Sequence, residues 1–260
     1  MDLGLAGRVS LVTASSGGIG LSVARALADE GSDIVLFARS ADKLAALADS
    51  LRAETGVRVL AVAGNMTERV DVIGLFQDID ATFGRLDVVV LNTGRPPAPL
   101  RSALGEDEKA RWDQSYETLL AGVVQVSQMA CPLMARNGWG RVVAITSASV
   151  SLPMPHHALS TVFRSGVEAF MRHLSSEVGA DGITVNCIAP ALIDSSHRQG
   201  KTAYTPQEAT RRLGMTALGR LGTHAELAGV VCFVASTQAG FVTGETIRVD
   251  GGMASFALHR

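Results

Sequence analysis

The sequence predicts an α/β fold: one domain over residues 1–260, built on a doubly wound parallel sheet of about seven strands with helices on both faces. Three observations carry this expectation. Short β-branched runs alternate with helix-length segments, a glycine turn joins the first run to the first helix, and no internal repeat or Pro/Gly-rich linker divides the chain. The strands are expected at 9–14 (VSLVTA), 33–38 (DIVLFA), 57–64 (VRVLAVAG), 86–92 (LDVVVLN), 140–147 (GRVVAITS), 183–189 (ITVNCIA) and 245–250 (ETIRVD). Such near-continuous apolar runs suit strands buried on both faces. Between them, segments such as GLSVARALADEG (20–31) repeat apolar residues at three and four and stop at a glycine, here Gly31. The polar, turn-rich segment 193–210 follows the sixth strand's carboxyl end, where ligands bind in such sheets, so it is expected to form a substrate lid.

Composition narrows the function classes. A chain of 260 residues with 47% hydrophobic content suffices for one well-buried core. Charged residues make up 18% and the formal net charge is -2, so no basic excess points to nucleic acid or an anionic membrane. A small-molecule partner is expected instead. Cys131, Cys187 and Cys232 lie at wide spacing in apolar surroundings, which suits core thiols and no metal site. The opening MDLGLAGRVSLVTAS does not read as a secretory signal, and no apolar run approaches the ~20 residues of a membrane helix. A reducing, cytoplasmic setting is expected.

The first strand runs into TASSGGIG, Thr13 to Gly20, at the start of the first βαβ unit. Glycines there let backbone amides approach a diphosphate, whose charge the helix N-terminus stabilises. This segment resembles the T-G-x-x-x-G-I-G motif of the short-chain dehydrogenase/reductase family, a Rossmann-type fold. DVVVLNTG (Asp87 to Gly94) resembles that family's N-N-A-G, ITVNCIAP (Ile183 to Pro190) its I-x-V-N-x-I-x-P-G, and GRLG (Gly219 to Gly222) with FVTGETIRVDGG (Phe241 to Gly252) its C-terminal signature. Together these resemble the branch containing β-ketoacyl carrier-protein reductases. The resemblance implies a nicotinamide dinucleotide held along Ala14, Ser15, Ser16, Gly18, Ile19, Gly20, Asn65, Met66, Asn92, Gly94 and Pro190. Ala14 and Ala191 replace glycines of the motifs, and each added methyl is tolerated where φ is negative. The second strand ends FARS, Phe37 to Ser40, without the acid that would bind a ribose 2′-hydroxyl. NADP(H) is therefore expected over NAD(H), with Arg39 and either Ser15 or Ser40 at the 2′-phosphate.

The catalytic end departs further from the family. Its members use an asparagine, a serine, and a tyrosine and lysine four positions apart; the corresponding residues here are Leu119, Ser147, Ser160 and Arg164. Only two tyrosines exist, Tyr116 and Tyr204, and no lysine lies between Lys109 and Lys201, so no shift of alignment restores the pair. Arg164 keeps the positive charge that would grip the ribose. Ser160 keeps a hydroxyl, but a poor acid. His156 and His157, in the stretch PMPHHALS, are candidate proton donors because histidine is the residue type suited to proton exchange near physiological pH, with Tyr204 a third candidate. The L-S-x-x-x-R pattern resembles a divergent subgroup of β-ketoacyl-reductase-like proteins with serine at the tyrosine position. Positioned acid–base catalysis is worth about 3 to 5 kcal/mol and proximity of bound reactants about 7 to 11, so the larger contribution survives these changes.

The expected function is an oxidoreductase passing hydride between NADP(H) and a carbonyl or alcohol, with Ser147, Ser160, Arg164 and His157 as its catalytic candidates. The alternative is a nicotinamide-binding sensor or assembly subunit without redox turnover; dehydration or isomerisation in the same pocket stands behind both. Val162, Phe163, Val167, Phe170, Met171 and Leu174 give the helix after the fifth strand more apolar surface than one sheet face needs. The resemblance implies a homodimer or homotetramer through such helices.

Overall fold

The computed structural model describes residues 1–194 and 206–253. Seven parallel strands form one sheet: β1 (Val9–Thr13), β2 (Asp33–Ala38), β3 (Val59–Ala63), β4 (Val88–Leu91), β5 (Gly140–Ile145), β6 (Ile183–Pro190) and β7 (Thr246–Val249). Their order is β3-β2-β1-β4-β5-β6-β7. The chain leaves β1 toward β2 on one side and returns to β4 on the other, so the sheet is doubly wound, as the alternating runs imply. Expected strand ends at 57–64 and 86–92 contract to Val59–Ala63 and Val88–Leu91, because ladder bonds stop before the apolar run does.

Successive side chains of each strand point to opposite faces and so build two cores. On one face Val9, Leu11, Val35, Val89, Val142 and Val185 pack beneath α3 (Arg69–Phe83), α5 (Gly122–Ala135) and α6 (Ala158–Val178). On the other, Val12, Ile34, Leu36, Val90, Val143 and Ile188 meet α1 (Gly18–Asp29), α2 (Ala41–Thr55) and α8 (His224–Val234). The three cysteines are unpaired and buried in these cores. Desolvation pushes the Cys131 thiol up to about 11 and those of Cys187 and Cys232 to about 12, which suits packing rather than chemistry.

One expectation about apolar length is corrected. The helix α4 (Lys109–Tyr116) continues through a π-turn (Glu117–Ala121) into α5, giving a helix of 27 residues long and apolar enough, by length and composition, to cross a membrane. The sequence reading missed it because polar residues of α4 interrupt the run. Half of its apolar window is buried inside the fold, against α3, α6 and the sheet, which accounts for the composition as core packing. The expected lid at 193–210 falls largely outside the described residues, as does Tyr204; the described end of that segment is α7 (Pro206–Leu213).

Candidate active site

The site forms where the strand order reverses, beyond the carboxyl ends of β1 and β4. The two ends are tied together: Thr13 Oγ1 donates to the Asn92 carbonyl at 2.6 Å, and Asn92 Nδ2 donates to the Ala14 carbonyl at 3.3 Å. Helix α1 then starts without a side-chain cap, with Gly17 at its N-cap, so its first amides are left for a ligand. Gly18 takes φ +54. At Gly20 a Cβ would lie 2.6 Å from the Ala14 carbonyl and 2.9 Å from Asn92 Nδ2, so only glycine lets the helix sit this close to the strand ends. This cradle of bare amides fits the diphosphate of a dinucleotide.

Two expectations for this turn are corrected. Ala14 was expected to tolerate its methyl at a negative φ, but it stands at φ +48, in the left-handed region where a Cβ is strained. Ala191 does keep a negative φ, and the left-handed residue is the next one, Leu192 at φ +52. Ser15 was a candidate for the 2′-phosphate, but it is fully buried. Its hydroxyl accepts from the Phe37 amide at 3.0 Å, which braces the turn against β2 and leaves nothing for a ligand. Ser16 and Ile19 are half-buried on the turn, with Ile19 packed on the core.

Other cofactor candidates line the same edge. Arg39 and Ser40 are exposed where β2 meets α2, and the Ser40 hydroxyl makes no capping bond. Asn65 forms an Asx turn, its Oδ1 accepting from the Thr67 amide at 3.2 Å, which leaves its NH2 group to donate. Met66 is buried and packs against α5; its carbonyl accepts from Gln125 Nε2 at 2.5 Å, so its side chain serves the core. Pro190 ends β6, opposite Val249. A residue absent from the sequence reading, Lys43 in the first turn of α2, extends toward α1: a Cβ on Gly17 would lie 3.6 Å from its Nζ. The only signal for it was its place four residues after Arg39.

The catalytic candidates gather at the ends of β4 and β5 and the start of α6. Ser147 caps the single 3-10 turn Ala148–Val150, its Oγ accepting from the Ser149 amide at 3.2 Å, so its own O–H is free to donate elsewhere. The Thr161 hydroxyl, on α6, meets the buried Ser149 hydroxyl at 3.1 Å and fixes that turn against the helix. Ser160 is buried, and no described residue is bonded to its hydroxyl. Arg164 donates to the Ile145 carbonyl at 2.6 Å and to the Gly94 carbonyl at 3.3 Å. It therefore straps the ends of β5 and β4 together, with N–H groups still to spare. Desolvation and the neighbouring Arg95 charge push it down to about 10, so it stays a cation at neutral pH.

His157 and Leu119 are also placed. His157 Nδ1 donates to the Pro155 carbonyl at 2.7 Å, which puts the ring proton on Nδ1 and leaves Nε2 open; His156 is exposed at φ +63. Leu119 is wholly buried within the π-turn, with no polar group to offer. Sequence reading missed two buried acids. Glu168, one turn beyond Arg164, accepts from Thr146 Oγ1 at 2.9 Å, and burial raises its pKa. Glu106 receives Arg111 Nε and Nη2 at 2.6 and 2.9 Å, while Nη2 also donates to the Pro97 and Pro99 carbonyls, pinning the loop that leaves Gly94.

The likenesses to known proteins agree with this architecture. The sequence model of the family described as "Enoyl-(Acyl carrier protein) reductase" matches residues 13–254. The chain is 33% identical over 245 residues to the 3-oxoacyl-[acyl-carrier-protein] reductase FabG of Staphylococcus aureus, covering 94% of this chain and 97% of that protein. It is 34% identical over 250 residues to nodulation protein G of a Rhizobium species, covering 96% and 98%. Among solved structures it superposes on L-sorbose reductase from Gluconobacter frateurii, complexed with NADPH and L-sorbose, with a TM-score of 0.90 at 30% identity, covering 98% of this chain and 99% of that one. With strand order, glycine turn and full-length likeness all in agreement, the chain belongs to the short-chain dehydrogenase/reductase family.

Proposed function

We propose that the chain is an NADP(H)-dependent oxidoreductase acting on a carbonyl or alcohol with an atypical catalytic set. The observation that carries the proposal is the shared edge of strand ends: an uncapped α1 behind glycines at the β1 end, and Ser147 and Arg164 at the β5 end, with Asn92 tied to Ala14 and Arg164 to Gly94 between them. The L-sorbose reductase of the same fold holds NADPH, which supports NADP(H) here. Bound nicotinamide would supply or accept the hydride. Ser147, whose oxygen already accepts from Ser149, directs its proton to the carbonyl oxygen of the substrate. Arg164 keeps a fixed positive charge beside Gly94 and offers its remaining N–H groups to the ribose hydroxyls. At the start of α6, Ser160 offers a hydroxyl proton, and the open Nε2 of His157 can take up a proton and pass it on. The cysteines and carrier-protein-reductase likeness suit a cytoplasmic small-molecule enzyme.

The test has two steps. NADPH binding is measured by fluorescence, and bound NADPH is then followed in single turnover against ketones, β-ketoacyl thioesters and quinones. The expected result is binding with oxidation by at least one class. Binding with no turnover across the panel moves the chain to the sensor or assembly reading, and no binding sinks both. The paired substitution Ser160→Tyr with Arg164→Lys is expected to raise single-turnover rates by ~10²- to 10⁴-fold, the usual worth of a positioned general acid. Unchanged rates with intact NADPH binding would show that this enzyme has its own proton route.

A further inference from the structure

We infer that Arg111 is a positioning residue: with Glu106 it holds the proline-rich segment 95–100 in one shape, as a preformed wall against which substrate binds beside Ser147 and Arg164. This rests on the oxidoreductase reading above and adds to it a buried pair of charges that neither the glycine turn nor the catalytic candidates include.

The sequence creates the need for such a clamp. Three of the six residues in RPPAPL, Pro96, Pro97 and Pro99, have no backbone N–H, so the segment cannot knit itself into a strand or helix and its carbonyls must find donors elsewhere. Arg111, in the first turn of α4, supplies them. Its Nη2 donates to the Pro97 and Pro99 carbonyls at 3.2 and 2.8 Å, while Nε and Nη2 reach the two oxygens of Glu106 at 2.6 and 2.9 Å. Trp112 Nε1 donates to the Glu106 carbonyl at 2.7 Å, so the acid is fixed by its backbone as well. The Arg111 and Glu106 side chains are 8% and 2% exposed, whereas the Lys109–Asp113 pair on the same helix lies open to water.

A buried ion pair seldom adds net stability over an apolar pair of the same volume, so what this one contributes is geometry. A planar guanidinium sets a carboxylate and two carbonyls at fixed angles to one another, which neither an apolar side chain nor an ammonium does. The segment so held starts at the catalytic end. The Gly94 carbonyl accepts from Arg164 at 3.3 Å, the Arg95 charge acts on Arg164, and a Cβ on Gly94 would lie 3.1 Å from Thr118 in the π-turn. Residues 95–99 therefore run from Arg164 to Arg111, with Ala98, Pro99 and Leu100 exposed. A wall fixed before substrate arrives spares the binding step the cost of ordering it.

The test compares the parent protein with the paired variant Glu106→Leu, Arg111→Met, which removes both charges and so leaves neither buried alone. Single-turnover oxidation of bound NADPH is followed against the concentration of whichever ketone, β-ketoacyl thioester or quinone the parent turns over, and tryptic cleavage after Arg101 reports the order of the segment. In the variant the half-saturating concentration is expected to rise about tenfold or more, while the maximal rate moves by less than about threefold and the NADPH dissociation constant by less than about twofold. Cleavage after Arg101 is expected to quicken. Unchanged half-saturation with intact NADPH binding would overturn the proposal, and so would a fall confined to the maximal rate, which ties the pair to the reacting groups instead. Should the paired variant not fold, Arg111→Lys, which keeps a cation beside Glu106 but lacks the fork, is read by the same split. If the parent oxidises NADPH with no compound of the panel, the oxidoreductase reading fails and the substrate wall with it; quicker cleavage in the variant then leaves Arg111 as an anchor of the loop alone.

Discussion

Ala14 holds a left-handed backbone at φ +48 with a Cβ that makes this conformation unfavourable by roughly 1 to 2 kcal/mol. Glycine would remove that strain, but its greater freedom in the unfolded chain takes back roughly 0.4 to 1 kcal/mol. Ala14→Gly is therefore expected to stabilise the protein by about 0.5 to 1 kcal/mol, a rise of about 1 to 3 °C in Tm by calorimetry. A lower Tm would mean that the alanine is relaxed where it stands. A second single-residue prediction concerns Glu168, whose carboxyl is raised above its ordinary value of 4.5 mainly by burial, with bonds from Thr146 and Thr246 and the Arg172 charge only partly offsetting it. As pH rises past 4.5 the unfolded chain gives up this proton before the folded one does, so ionisation favours unfolding until pH exceeds the raised folded value. Glu168→Gln cannot ionise and keeps an oxygen to accept from Thr146. The Tm of this variant minus that of the parent should grow from pH 4 toward neutrality, and a difference flat across that range would remove the carboxyl's ionisation from the account.

At the scale of elements, helix α8 shows how a local signal decides a boundary. Thr223 accepts from the Glu226 amide at 3.1 Å while Glu226 accepts from the Thr223 amide at 2.8 Å, a complete capping box. Arg220 adds a two-pronged ion pair to the same carboxylate, and these partners hold Glu226 down at about 2. Thr223→Ala is expected to cost about 1 kcal/mol and lower Tm by about 2 to 4 °C, with NADPH affinity unchanged because α8 lies behind the sheet. A loss of affinity at constant Tm would place this cap in the cofactor site instead. Elements whose partners are close in sequence, such as α1 with its glycine turn, could be read from spacing alone. The π-turn at Glu117–Ala121 could not, since it arises where one long helix must satisfy both α6 and the sheet. The Glu106–Arg111 clamp escaped for a related reason: its burial depends on the Pro97 and Pro99 carbonyls folding back over α4.

At the scale of the whole molecule, the alternation of elements carried the parallel, doubly wound sheet, and the structure adds the order of its seven strands, within the few windings that right-handed crossovers leave. The site was legible where it depends on backbone, at Gly18, Gly20 and Asn92, and less so where a side chain chooses between core and cleft, as Ser15 and Met66 did. The same choice bears on assembly. Of the apolar residues that seemed surplus on α6, Val167, Met171 and Leu174 are buried and Phe170 packs against the same core. Phe163 instead meets Trp112 at 5.9 Å between ring centres and Tyr116 at 6.2 Å, an aromatic cluster joining α6 to α4. Beside it Tyr116 and Val162 remain 47% and 49% exposed. An apolar strip on two adjacent helices, each fixed by its own packing, is suited to cover by the same strip of a second copy, since a two-fold axis repeats the patch against itself. The chain is therefore expected to run as a dimer or tetramer in light scattering, and Val162→Glu to shift it toward monomer while leaving the monomer folded. A monomeric parent protein, or an assembly indifferent to Val162→Glu, would move the interface elsewhere on the molecule.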